Sequence, residues 1–129
     1  MTQEDKELLF KDLCGRLPYG IKVQHQHQDY LNEVQTIEKI SKKYGEIETE
    51  SVLGFVDDFK PYLFPMSSMT EEQKEEYCQL QQKIIYNSYG PVNVDVINYI
   101  NWCYKNHIDI NGLIPMDLAI DATGLNIYN

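Results

Sequence analysis

KPYLFPMSSMTEEQKEEY, residues 60–77, is the joint of the chain. Pro61 and Pro65 each lack a backbone donor, so the segment holding them reads as extended or turning, not as a central strand. Beyond Pro65, Ser67, Ser68 and Thr70 can all accept from the orphan N–H groups of a helix start. Ser68 with Glu71, and Thr70 with Gln73, both have capping-box spacing. Glu71, Glu72, Glu75 and Glu76 follow in the first turns, where the helix dipole favours carboxylates. The pattern predicts a helix to about Tyr86 that buries Tyr77, Leu80, Ile84 and Ile85. The segment therefore implies a β half before it and a helical half after it.

Just upstream, Leu53, Phe55, Val56 and Phe59, with Tyr62, Leu63 and Phe64 beyond, form an apolar run expected to plug the core where the halves meet. IETESV, residues 47–52, is β-like, and the two-residue period puts Glu46, Glu48 and Glu50 on one face. Residues 33–40, EVQTIEKI, fit a strand through Val34, Thr36 and Ile37, or a helix through Leu31, Val34, Ile37 and Ile40. The following turn, SKKYGE, with Gly45 placed for positive φ, favours the strand. Tyr19, Ile21 and Val23 alternate with Gly20, Lys22 and Gln24 as a half-buried strand does. At the start, Thr2 caps a helix over residues 3–14 with Leu9, Phe10, Leu13 and Leu17 on one side, ended by Gly15 and Pro18.

Downstream, NSYGP at 87–91 breaks the chain, and Asn93 is placed to cap a second helix carrying Val96, Ile97, Ile100, Cys103, Tyr104 and His107, with Trp102 on its flank. His107 near that helix end reads as a cation or donor to the last carbonyls. Leu113 to Ile120 then closes over the core. The sum is an α+β fold in one domain over 1–129: a β-rich half at about 19–59, a Pro-rich crossover at 60–70 and a helical half at 71–129. Its sheet is expected to be a small three-stranded antiparallel meander over residues 19–56, packed with an N-terminal helix and two C-terminal helices.

A chain of 129 residues, 43% hydrophobic and 24% charged, suits a globular domain with a core of its own. The first residues, MTQEDKELLF, are acidic where a secretory signal is basic, and no run approaches ~18 apolar residues, so a cytoplasmic protein with no membrane segment is expected. Cys14, Cys78 and Cys103 are widely spaced and odd in number, which reads as reduced, buried, inert thiols. Net charge is −9, and nine acids against two lysines fall between Glu46 and Glu76. That balance disfavours direct contact with nucleic-acid phosphate.

Two constellations bear on chemistry. His25, His27 and Asp29 would share one strand face and could supply half of a metal site, since imidazole and carboxylate are suitable ligands. The acids Glu46, Glu48, Glu50, Asp57 and Asp58 form the second. Carboxylates about 7 Å apart along a strand must face water or a basic partner. Asp109, Asn111 and Gly112 resemble the middle of an EF-hand loop, but His107 and Leu118 stand where that loop needs acids. GxSxG, HExxH and a phosphate-cradling glycine loop are all missing from the sequence.

Three segments, DLCGRLPYGIKV (12–23), KPYLFPMSSMTEEQKEEY (60–77) and NHIDINGLIPMDLAIDATGLNIYN (106–129), resemble a family of small uncharacterised proteins encoded by phages and prophages of gut bacteria. The resemblance covers under half of the chain and leaves 24–56 as its variable part. It implies a genomic setting, with the protein in the host bacterial cytoplasm, and brings no catalytic residue or cofactor with it. The expected function is a non-enzymatic accessory protein that binds a host or phage protein through Glu46, Glu48, Glu50, Asp57 and Asp58, as an acidic or DNA-mimicking face, for instance to inhibit a host defence. The competing expectation is a metal-binding protein or enzyme using His25, His27 and Asp29. The oligomeric state is left open.

Overall fold

The computed structural model describes residues 1–85 and 93–128, with Asn93 described by its backbone alone. In chain order the elements are α1 (Gln3–Arg16), β1 (Lys22–His25), β2 (Gln35–Ser41), β3 (Glu46–Thr49), β4 (Leu53–Phe55), β5 (Phe59–Leu63), α2 (Glu71–Ile85), α3 (Asn93–Lys105) and β6 (Ile120–Asp121). The fold is α+β. Its sheet has six strands in the order β4-β3-β2-β1-β5-β6, antiparallel throughout except for the parallel β5–β6 pair. The sheet is thus twice the size of the three-stranded meander expected from the sequence, and residues 19–56 alone hold four of its strands.

The connection from β4 to β5 determines the shape of that sheet. In a flat sheet these strands would lie four spacings apart, about 19 Å. The link is a single 3-10 turn, Val56–Asp58, which advances only about 6 Å. The sheet must therefore curl until β4 approaches β5 across the interior. Gly54 permits this, because a Cβ there would stand 3.0 Å from the Phe59 ring.

Pro61 lies inside β5, contrary to the expectation that the prolines exclude a central strand. Gln26 N–H donates to the Asp58 carbonyl at 2.7 Å, so the alternation of the antiparallel ladder makes Val23 and Pro61 a non-hydrogen-bonded pair. The Pro61 nitrogen points away from β1, and β6 pairs only with Tyr62 and Leu63 on that side. Its missing donor is therefore not needed by either neighbouring strand.

Leu9 and Leu13 of α1, Ile21, Val23, Ile37, Ile47, Phe59 and Leu63 of the sheet region, and Leu113, Leu118 and Ala119 of the closing segment form one core. Strand is the correct reading of 35–41. A bulge between Ile37 and Lys39 shifts the two-residue period so that Ile40, not Lys39, packs against the core. Leu53 and Phe55 were expected to plug the interior, but they are 58% and 54% exposed, since Gly54 is the inward residue of β4.

α1 starts with the Thr2–Asp5 capping box and runs through Gly15 to Arg16, two residues past its expected end. Gly15 does not terminate it; a Cβ there would overlap the Tyr104 ring, so the glycine lets α3 pack closely. α2 starts with the Thr70–Gln73 box, both bonds being made, while the Ser68 hydroxyl donates to the Pro65 carbonyl. No described residue of α2 is fully buried: Tyr77, Leu80 and Ile84 are half-buried and Ile85 is 66% exposed, against the expectation of burial. The helix packs on α3, where the Tyr77 and Tyr99 hydroxyls meet at 3.0 Å and Trp102 Nε1–H donates to Glu76 at 2.9 Å. Cys103 is buried, whereas Cys14 and Cys78 are exposed, correcting the expectation that all three lie inside. The helix end expected at Tyr86, the turn at 87–91 and the Asn93 side-chain cap lie outside the described residues.

Candidate interaction surface

Ile47 points into the core, so its neighbours Glu46 and Glu48 point out. Across the β3–β4 ladder Glu46 pairs with Phe55 and Glu48 with Leu53, and across β2–β3 Lys39 pairs with Glu48 and Ser41 with Glu46. Directly paired residues share a face. The outer side of β2–β4 thus brings together two carboxylates and two exposed apolar side chains. Tyr44, 63% exposed in the β2–β3 turn, joins them around a recess of about 210 Å³ also lined by Lys39, Ser41 and Leu53. Neither Glu46 nor Glu48 forms an ion pair or side-chain hydrogen bond among the described residues.

The other three predicted acids have local partners. Glu50 lies beyond β3, and its Oε2 accepts the Thr36 N–H at 2.8 Å. Asp57 pairs with Lys6 of α1 at 3.3 Å. Asp58 Oδ2 accepts the Phe55 N–H at 2.8 Å, which occupies a donor on the outer edge of β4 and makes that edge a poorer template for a further strand. The structure does not bring the five acids onto one strand face. It separates Glu46 and Glu48 from Glu50, Asp57 and Asp58.

The HxHxD strand face does not form, because β1 ends at His25 and residues 27–30 turn. His25 is 7% exposed; its ring meets Phe59 and Tyr30 edge-on at 4.9 and 5.2 Å, and its Nδ1 accepts the His27 N–H at 3.0 Å. His27 and Asp29 stay at the surface, Nδ1 to Oδ2 3.4 Å. Among the described residues no group of three His, Cys, Asp or Glu side chains is placed to hold a metal ion. Asp109 braces the turn that follows it, its two carboxylate oxygens accepting the N–H groups of Leu113 and Ile114 at 2.8 and 2.9 Å.

A buried polar network is not among the sequence expectations. Asp12 and Arg16 form a fully buried ion pair, Nε to Oδ1 2.6 Å. Arg16 also donates to the Ile108 carbonyl at 2.7 Å and lies 4.7 Å over the Tyr104 ring, while Asn111 donates to Asp12 at 2.8 Å. The signal for it is nonetheless present in the sequence: residues 9, 12, 13 and 16 share one helix face, and an acid and a base at i and i+4 on a buried face must pair.

Close by, His107 occupies the position after the α3 cap with φ 59°, and the bonds Ile108 N–H to Cys103 and His107 N–H to Tyr104 complete a Schellman turn that glycine usually serves. Its ring stacks on Tyr128, centroids 3.6 Å apart and planes at 10°. Burial, with Arg16 and then Lys22 adding repulsion, lowers its pKa from 6.5 to about 4. His107 is thus neutral at neutral pH, so of the two expected roles, cation or donor to the last carbonyls, the cation is not realised. The Tyr128 hydroxyl accepts from Lys22 N–H at 3.1 Å and donates to the Tyr62 carbonyl at 2.7 Å, standing where the next β1–β5 rung would fall. Burial raises that phenol well above its ordinary range.

Among the described residues no helix is long and apolar enough to cross a membrane. No protein-family model, curated protein or solved structure matches the chain.

Proposed function

We propose that this chain is a non-enzymatic accessory protein that binds another protein through the outer face of β2–β4. The observation that supports this reading is the juxtaposition of Glu46 and Glu48, which have no ion-pair partner among the described residues, with exposed Leu53, Phe55 and Tyr44. Apolar and aromatic side chains at the centre with charge beside them are the anatomy of a protein contact, and exposed apolar clusters mark such sites. The partner would present basic side chains to the two glutamates and an apolar group to Phe55. This mixture favours a protein contact over a DNA-mimicking decoy, which needs a longer array of unpaired carboxylates. A phage or prophage setting in a bacterial cytoplasm rests on the resemblance of the three segments alone.

The test is affinity capture from bacterial lysate with the wild-type chain, the pair Glu46→Gln and Glu48→Gln, and Phe55→Ser. A basic partner retained by wild type and lost by both variants is expected. Glu50→Gln serves as control, because the amide oxygen can still accept the Thr36 N–H and binding should persist. Equal recovery on all four proteins would sink the proposed contact.

A further inference from the structure

A second surface lies along α1 and meets that face at the β2–β3 turn. Residues 3, 6, 7, 10 and 11 recur at three- and four-residue spacing on one flank of the helix, and with the β2–β3 turn and Val56 they line an open recess of about 290 Å³. Phe10 and Val56 supply apolar wall. Lys6, Lys11 and Lys42 line it too, with Glu7 as the acid among the lining residues. In a chain of net charge −9 with eleven basic residues, three lysines at one recess reverse the local balance. Lys6 is held by Asp57 at 3.3 Å, but Lys11 and Lys42 form no ion pair among the described residues. Lysine stems lie readily against apolar surface while their ammonium heads remain at the rim.

We infer that this recess binds a small amphipathic anion, a carboxylate whose apolar body rests on Phe10 and Val56 and whose charge meets Lys11 and Lys42. A recess of about 290 Å³ has room for a medium-chain carboxylate, and octanoate serves as its probe. The site is small and open, so the expected dissociation constant is on the order of 1 mM. It does not depend on the β2–β4 face or on the identity of any protein partner.

Amide chemical shifts of the ¹⁵N-labelled full chain test this directly, with octanoate, octylamine and 1-octanol titrated in parallel. Saturating shifts centred on Phe10, Gly45 and Val56 are expected with octanoate, with octanol and octylamine at least ~10-fold weaker. In the variant carrying Lys11→Glu and Lys42→Glu, both exposed positions, the preference should invert toward octylamine. Absence of saturating shifts, equal affinity for the three probes, or an unchanged preference in the variant would overturn the assignment.

Discussion

At the scale of single residues, the buried Asp12–Arg16 pair is where a substitution has the largest predicted effect. Both groups are shut off from water and are held further by Ile108 and Asn111. Arg16→Met strands the Asp12 carboxylate, and urea denaturation should show a loss of about 3–5 kcal/mol. Pairing it with Asp12→Leu should recover much of that loss, because two apolar side chains need no partner. A double variant as unstable as the single would mean instead that the ion pair is worth more than its desolvation cost. Gly15 beside it sets two effects against each other. Alanine is the better helix former by ~1 kcal/mol, but a Cβ overlapping Tyr104 has the overpacking penalty of ~1–3 kcal/mol, so Gly15→Ala should lower the melting temperature.

His107 makes stability depend on pH at the same scale. Its pKa is about 4 in the fold against 6.5 in its absence, so between those values the unfolded chain binds more protons than the folded one. Stability from this group is therefore complete above about pH 6.5, falls as the pH drops toward 4 and changes little below. After discounting for the partly exposed ring, the loss is on the order of 1–2 kcal/mol. His107→Asn keeps a residue that tolerates the left-handed backbone but removes the titration, and its stability should vary less between pH 6.5 and 4. A variant whose pH dependence matches wild type would remove His107 as the cause.

At the scale of elements, the Tyr128 hydroxyl acts as a rung between β1 and β5. Tyr128→Phe keeps an aromatic ring against His107 but leaves the Lys22 N–H and the Tyr62 carbonyl without that partner, at a cost of about 1–3 kcal/mol. Faster hydrogen exchange confined to Lys22 and its neighbours is the expected signature, and unchanged exchange at Lys22 would refute the role. Such contacts also show what the sequence can reveal. Thr2 with Asp5, Thr70 with Gln73, the alternation at Ile21 and Val23, and Gly45 with φ 66° are local devices, and each is legible because cause and effect lie within a few residues. β5 is not, because Pro61 is acceptable only once its β1 register is known, and the exposure of Leu53 and Phe55 follows from Gly54 taking the inward position. Of the candidate face, the outward glutamates at 46 and 48 are legible from the two-residue period. The separate attachments of Glu50, Asp57 and Asp58, and the lysine-lined recess on α1, depend on residues far apart in sequence.

At the scale of the whole molecule, stability is unevenly distributed. One core gathers side chains from α1, the sheet region and the closing segment, whereas α2 packs on α3 and has no fully buried residue. A helix of fifteen residues is marginal in water without a packed face, so α2 should open without unfolding the sheet. Native-state hydrogen exchange should show α2 amides opening several kcal/mol below those of β1 and α1, on the order of half the global value. Tyr77→Ala removes the hydroxyl contacts with Tyr99 and Gln81 and the ring contact with Trp102, and it should speed α2 exchange while leaving β1 protection nearly unchanged. Were α2 amides protected as strongly as those of β1, or were Tyr77→Ala to lower both alike, α2 and the core would be one cooperative unit. The expected separation follows from burial: the inward face of α1 is sealed at Leu9 and Leu13, while α2 leaves even its packed residues half open to solvent.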